Sequence, residues 1–189
     1  MILYHYYILW RKRMISVFKP TWMVSSVYSI APEQLKKQGI KAVFTDLDNT
    51  LIAWNNPDGT PELWEWMNAL KQAGIPLIVI SNNSYKRVKH AVAPLDLPFT
   101  SRALKPLGFG IKRAMHRINL TEDEIVMVGD QLITDVVAAN RAHVRSILVK
   151  PLIESDAWNT RPNRFFEIFI KKQLAHKYPT LRWQEGLND

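Results

Sequence analysis

A set of short apolar runs constrains this chain more than any other feature. They are Ala42-Val43-Phe44, Pro76-Leu77-Ile78-Val79-Ile80, Ile125-Val126-Met127-Val128 and Ser146-Ile147-Leu148-Val149. Each is apolar at successive positions instead of alternating, so each reads as a strand buried on both faces. Helical signals fill the intervals. Ala31-Pro32-Glu33 opens a short helix that stops at Gly39, and Thr60-Pro61-Glu62 opens one through Trp64, Met67 and Leu70 that stops at Gly74. Further helices are expected from about Tyr85 to Ala93, from Leu107 to Ile118 and over 134–141, with a short strand around Phe99. Thr121-x-x-Glu124 has capping-box spacing but runs directly into a strand, so a local turn is expected there. Buried strands alternating with helices define an α/β fold: a parallel sheet between two helical layers.

In an open parallel sheet, ligands bind beyond the carboxyl ends of the strands. The polar clusters of this chain sit at those ends. Asp46 and Asp48 follow the first run, Ser81-Asn82-Asn83 the second, and Gly129-Asp130 the third. Two carboxylates one residue apart at the end of a buried strand are expensive without a cation, and a Mg²⁺ ion between them makes the approach tolerable. By itself Asp-x-Asp also reads as a pair of turn or capping residues. The joint pattern favours phosphoryl transfer, which needs a positioned nucleophile, neutralised equatorial oxygens and a protonated leaving group.

The roles divide by residue type. Asp46 is the candidate nucleophile, forming an aspartyl-phosphate, and Asp48 the candidate acid and base. Thr50, Ser81, Asn82 and Lys105 are candidate phosphate-binding groups. Asp130 completes an oxygen site for Mg²⁺ with Asp46 and the main-chain carbonyl of Asp48. Asp135 supports that site, through water or by orienting Lys105. Asp135 and Asn82 also read as capping or turn residues, and Lys105 as a solvated loop lysine. The five histidines show no ligand spacing.

A length of 189 residues suits one domain. The expected organisation is an N-terminal extension over 1–19, a single domain over 20–175 and a C-terminal tail over 176–189. Met14 is a second candidate start. An apolar fraction of 47% excludes a disordered chain, and the absence of cysteine excludes disulfides, thiolate catalysis and cysteine-bound zinc. No apolar run approaches the ~20 residues of a membrane span. Met1 to Trp10 is aromatic and apolar, but Arg11-Lys12-Arg13 follows it, the reverse of a signal peptide. A cytoplasmic location is expected, peripheral to the inner membrane face. The net charge of +8 points to an anionic partner.

Asp46-Leu47-Asp48-Asn49-Thr50, Ser81, Lys105 and Gly129-Asp130 with Asp135 resemble the motifs of the haloacid dehalogenase (HAD) superfamily. The likeness is nearer to subclass IIIA phosphatases of the YqeG type, similar to phosphatidylglycerophosphate phosphatases. It is carried by Ser29-Ile30-Ala31-Pro32-Glu33, Gly39-Ile40-Lys41-Ala42, Lys105-Pro106, Gln131-Leu132-x-Thr134-Asp135, Asn140-Arg141 and Thr160-Arg161-Pro162-Asn163-Arg164. The resemblance implies a Rossmann-like sheet of strand order 5-4-1-2-3 in a three-layer α/β/α fold. It also implies Mg²⁺ as cofactor and hydrolysis of phosphatidylglycerophosphate to phosphatidylglycerol.

From Asp48 to Ser81 and from Ser81 to Lys105 there is room for only a helix and short connections, so no large cap domain is expected. An open site suits a phosphorylated substrate presented by something large, such as an anionic lipid at a membrane surface. The alternatives are a soluble or protein-borne phosphate, and a basic module for RNA or ribosomal particles. No RNA-recognition signature is visible, so no specific nucleic acid is expected. The segment Arg161 to Lys172 reads as a basic aromatic helix whose Phe and Ile side chains are expected to pack on the sheet. Arg161 and Arg164 then stand exposed near the site or solvated. Trp54 either contacts a leaving group or anchors its loop.

Overall fold

A sheet of seven strands, every neighbouring pair parallel, runs through the molecule in the order β4-β3-β2-β5-β6-β1-β7. The strands are β1 (Trp22–Val24), β2 (Ala42–Thr45), β3 (Leu77–Ile80), β4 (Phe99–Thr100), β5 (Ile125–Gly129), β6 (Arg145–Val149) and β7 (Trp183–Gln184). The helices are α1 (Pro32–Lys37), α2 (Pro61–Gln72), α3 (Tyr85–Val92), α4 (Phe109–Ile118), α5 (Val137–Ala142) and α6 (Arg161–Lys177). The computed structural model describes residues 15–53, 59–153 and 161–187, the first five residues of α6 by backbone alone. Trp54, the candidate start at Met14, and the side chains of Arg161 and Arg164 lie outside the described residues.

The five strands β2 to β6, numbered afresh in chain order, have the expected arrangement 5-4-1-2-3. Two strands extend it beyond β6. β1 joins β6 by pairing Trp22 with Ile147, and β7 joins β1 by pairing Met23 with Trp183. Segments expected outside the domain thus meet the sheet: β7 comes from 176–189, and Ile15 and Phe18 pack beside Leu148 and Leu174.

The central strands are buried at every position. Their alternate residues feed opposite cores. Val43, Val79, Val126 and Val128 face Leu35 of α1, Leu63, Trp66 and Leu70 of α2, and Val88 of α3. Phe44, Ile78, Ile80 and Met127 face Ile111 and Ala114 of α4 and Ala138 and Ala139 of α5. Truncating a fully buried ring such as Phe44 to Ala would cost about 3–5 kcal/mol. The indole nitrogen of Trp66, drawn into this core, donates to the Ile30 carbonyl at 2.8 Å.

Local chemistry sets the helix ends. Thr60 Oγ1 accepts from the Leu63 N–H at 3.3 Å and Pro61 occupies the first turn of α2. Gly74, at φ +72°, closes that helix while Ile75 N–H returns to the Leu70 carbonyl at 2.9 Å. Glu122–Glu124 is a 3₁₀ turn, in which Glu124 Oε2 accepts from the Thr121 N–H and hydroxyl. Asn140 fixes the N-terminal segment, donating to the Val17 and Lys19 carbonyls at 2.6 and 3.0 Å.

Two expectations are corrected. The helix expected over 134–141 begins as a π turn, Leu132–Val136, before continuing as α5. Val136 N–H reaches the Gln131 carbonyl at 3.3 Å, one residue further back than an α-helix would require. The second correction concerns α6. Its inward face is formed by Glu167, Ile170 and Leu174, whereas Phe166, Ile168 and Phe169 are 59%, 65% and 61% exposed. Helical phase explains this. Once Leu174 anchors the helix on Leu132, Val136 and Leu148, Ile170 and Glu167 share its stripe, and 166, 168 and 169 turn away from it.

Candidate active site

Asp46 follows the last residue of β2, and its N–H donates to the Val128 carbonyl at 2.9 Å, which extends the sheet pairing to this candidate residue. The chain then turns tightly. Leu51 and Ile52 N–H both reach the Leu47 carbonyl at 3.1 Å, and Asn49 takes a left-handed φ of +65°. Leu47 and Leu51 are fully buried and pin this turn to the core. From the segment that follows β6, Leu152 N–H donates to the Asn49 carbonyl at 2.9 Å. The two carboxylates of the motif therefore leave a braced loop in different directions.

The Asp46 carboxylate meets Lys105, whose Nζ donates to Asp46 Oδ1 at 2.5 Å and to Asp135 Oδ1 at 2.7 Å. The Lys105 side chain is 3% exposed. Burial alone would lower its pKa, but the carboxylates of Asp135 and Asp46 outweigh burial and hold the ammonium above its ordinary value. Lys105 is therefore a buried ion-pair member, and the solvated-loop reading falls away. Its loop is set by Asn82: the side-chain oxygen accepts from Lys105 N–H at 2.7 Å, and the amide donates back to the Lys105 carbonyl at 2.8 Å. Asn82 thus spends both ends of its amide on positioning the lysine.

Asp130 ends β5 with its side chain buried, and Thr50 Oγ1 donates to its Oδ1 at 2.8 Å. Asp135 is equally buried; its second oxygen accepts from the Gln131 N–H at 3.1 Å. Burial pushes the Asp135 carboxyl up, Lys105 pulls it down, and the charges of Asp46 and Asp130 raise it again, with a net upward shift. The π turn brings Asp135 to this place, beneath Gly129, where a Cβ would collide with its carboxylate.

Asp46, Asp130 and Asp135 each present an oxygen within 4.8 Å of the others'. Three carboxyl groups crowd one ammonium, and a divalent cation would let all of them ionise together. All the donors are hard oxygens, the set that Mg²⁺ prefers. The residues fit that ion. Asp48 points elsewhere, its Oδ2 accepting from Asn83 Nδ2 at 2.7 Å and its Oδ1 from an Arg87 guanidinium nitrogen at 2.8 Å. Ser81 is buried beside this group, and its Oγ accepts from the Asn83 N–H at 3.2 Å.

All the candidates gather at the carboxyl ends of β2, β3 and β5, but they form two groups. Asp46, Thr50, Lys105, Asp130 and Asp135 make a buried acidic cluster, while Asp48 stands in a more exposed arm with Asn83 and Arg87. Sequence reasoning assigned no role to Arg87 or to Glu167, whose Oε1 accepts from the Ile133 N–H at 3.1 Å. The signal for Arg87 was its place in the first turn of α3, three residues after the capping Ser84. No such signal exists for Glu167, an acid inside an apolar stretch.

A sequence model of haloacid dehalogenase-like hydrolases matches residues 29–143. With this match the parallel sheet and the acidic cluster have their class: the chain belongs to the haloacid dehalogenase-like hydrolase family. Over 168 residues it is 41% identical to the probable phosphatase YqeG of Bacillus subtilis (strain 168), across 89% of this chain and 97% of that protein. It is 30% identical over 156 residues to phosphatidylglycerophosphate phosphatase 1, chloroplastic/mitochondrial, of Arabidopsis thaliana. That alignment spans 77% of this chain and 44% of the longer plant protein. Two solved structures share the fold at 15% identity. NagD from E. coli K-12 has a TM-score of 0.51, over 61% of this chain and 90% of that one. A protein from Listeria monocytogenes serotype 4b has a TM-score of 0.50, over 70% and 99%.

Proposed function

We propose that this chain is a Mg²⁺-dependent phosphomonoesterase that works through an aspartyl-phosphate on Asp46, with phosphatidylglycerophosphate as its substrate. The observation that carries the chemistry is the buried cluster in which Lys105 bridges Asp46 and Asp135 beside Asp130. Lys105 holds the Asp46 carboxylate in one orientation, so its free oxygen faces the incoming phosphorus without a search through rotamers. Attack forms the Asp46–phosphorus bond and breaks the bond from phosphorus to the leaving oxygen. Asp48, released from Arg87 and Asn83, delivers a proton to that oxygen. It then takes a proton from the water that attacks phosphorus and frees Asp46. Ser81 supplies a hydroxyl at the β3 end, and Lys105 offers its charge to the phosphoryl oxygens. Thr50 acts through Asp130, and Asn82 through the Lys105 loop. Asp46, Asp130 and Asp135 would hold Mg²⁺, which supplies Lewis-acid polarisation and charge neutralisation when bound.

The lipid assignment draws support from the plant relative's name and from the short connections around the site. Between β2 and β3, and between β3 and β4, the described residues hold one helix each and no inserted domain. No helix among the described residues is long and apolar enough to cross a membrane, so the substrate would be met at a surface. The test measures phosphate release from phosphatidylglycerophosphate in mixed micelles and from a panel of soluble phosphomonoesters, with and without EDTA. Turnover of the lipid that EDTA and Asp46→Asn both abolish is the expected result. Turnover confined to soluble esters would sink the lipid and leave the chemistry, whereas an active Asp46→Asn would sink the chemistry.

A further inference from the structure

We propose that the outer face of α6, at its end nearest the acidic cluster, is a docking surface for an anionic phospholipid bilayer. The inference rests on the lipid reading above for its purpose, but its observations are separate. A helix packed on a domain normally turns its apolar stripe inward. In α6 the inward face carries the buried acid Glu167, while Phe166, Ile168 and Phe169 stand more than half exposed. At 166–169 the polarity is reversed, and large apolar side chains exposed together mark an interaction surface.

Its place in the fold ties it to the site. Glu167, flanked by Phe166 and Ile168, accepts the Ile133 N–H in the turn that carries Asp135. Across β2 from α6, the Lys105 loop carries Leu104 and Leu107, 59% and 44% exposed on either side of the buried lysine, and then Phe109 at 66%. Exposed apolar side chains thus flank the cluster from both directions along the sheet.

Charge selects the occupant. Between Arg161 and Lys177 the only acid is Glu167, which is buried, while Arg161, Arg164, Lys171, Lys172 and Lys177 are basic. Lys171 pairs with Glu167 at 3.8 Å, and Lys172 stands exposed beside the apolar side chains. The surface thus combines groups that enter the acyl boundary with a cation for anionic headgroups, the requirements of an interfacial helix. A protein partner or a second copy of this chain, itself at net +8, would meet that positive charge with repulsion unless it were acidic.

The experiment uses vesicles that contain no phosphatidylglycerophosphate, so docking is read independently of the substrate. The full chain is sedimented with phosphatidylcholine vesicles with and without phosphatidylglycerol, beside the triple variant Phe166→Ser/Ile168→Ser/Phe169→Ser. The expected result is binding to the anionic vesicles that weakens about tenfold or more in the variant, with unchanged hydrolysis of a soluble monoester such as p-nitrophenyl phosphate. Because the chain has no cysteine, Phe169→Cys can carry a single environment-sensitive dye, with Glu122→Cys at the opposite end of the sheet as control. The dye at 169 should shift to the blue on anionic vesicles and the dye at 122 should not. Equal binding by wild type and variant, or no binding by wild type, overturns the proposal. So does a wild-type dimer that the triple variant abolishes without any vesicle binding, or salt-sensitive binding to RNA in place of vesicles. A failure to turn over the lipid with docking intact would overturn only the substrate reading.

Discussion

Replacing Lys105 by Met keeps the aliphatic stem and removes the ammonium, leaving Asp46, Asp130 and Asp135 without their buried cation. Two charge-assisted bonds disappear, at 2.5 and 2.7 Å, from a side chain only 3% exposed. Removing one partner of a buried ion pair costs about 3–5 kcal/mol, because the remaining charge stays desolvated. The cost has a ceiling, since Asp135, already shifted upward by burial, can take up a proton instead of remaining ionised. In a chain of this size each kcal/mol moves Tm by about 2–4 °C, so a drop of roughly 6–20 °C is expected in EDTA. Excess Mg²⁺ should return more of that loss to the variant than it adds to the wild type, because a divalent cation replaces the missing charge. Thermal melting of both proteins in EDTA and in Mg²⁺ reads all four values. A variant in EDTA that melts within about 2 °C of wild type would refute the buried-pair argument. If Mg²⁺ raises neither protein's Tm, the cluster is not a metal site.

The upward shift of Asp135 has a definite sign in the metal-free protein. The folded state binds this proton more tightly than the unfolded chain, so the stability it contributes is fully present below the ordinary value of 3.8 and is lost as pH rises through the folded value. In EDTA the Tm of wild type should therefore fall relative to Asp135→Asn between acid and neutral pH; a constant difference would contradict the burial argument. Gly129→Ala would drive a Cβ into the Asp135 carboxylate. Phosphatase activity and the Mg²⁺-induced rise in Tm should both vanish while far-UV circular dichroism keeps the α/β signature.

What could be read from the sequence follows from how the sheet is built. Strands buried on both faces leave unbroken apolar runs, so β2, β3, β5 and β6 were visible, and with them the positions of Asp46, Ser81 and Asp130 at their ends. β1 and β7 are three and two residues long and lie outside the helix–strand alternation that places the equally short β4 at Phe99. The π turn differs from an α turn by one residue of register, which no periodicity resolves over so short a span. The clamp that the Asn82 amide places on Lys105 is not legible in the sequence, since residue type cannot say which way a side chain turns. The run Phe165-Phe166-Glu167-Ile168-Phe169-Ile170 is apolar all round except at Glu167. Ordinary patterning turns that acid outward. The backbone N–H of Ile133 and the Lys171 ammonium give it partners on the same face that Leu174 anchors.

The absence of an inserted domain over Asp46 among the described residues has a bearing on which acceptor the phosphoryl group finds. An enzyme that passes phosphate to an alcohol or another nucleotide has to keep solvent from intercepting the covalent intermediate, and burying the site is the usual means. Here bulk solvent lies just above the Asp48 arm, whose carboxylate is already 32% exposed. Water near 55 molar is then the acceptor in overwhelming excess, and the second half of the reaction needs no binding site of its own. On the proposed chemistry, the solvent reached by Asp48 puts water within range of an aspartyl-phosphate on Asp46 and favours hydrolysis over transfer.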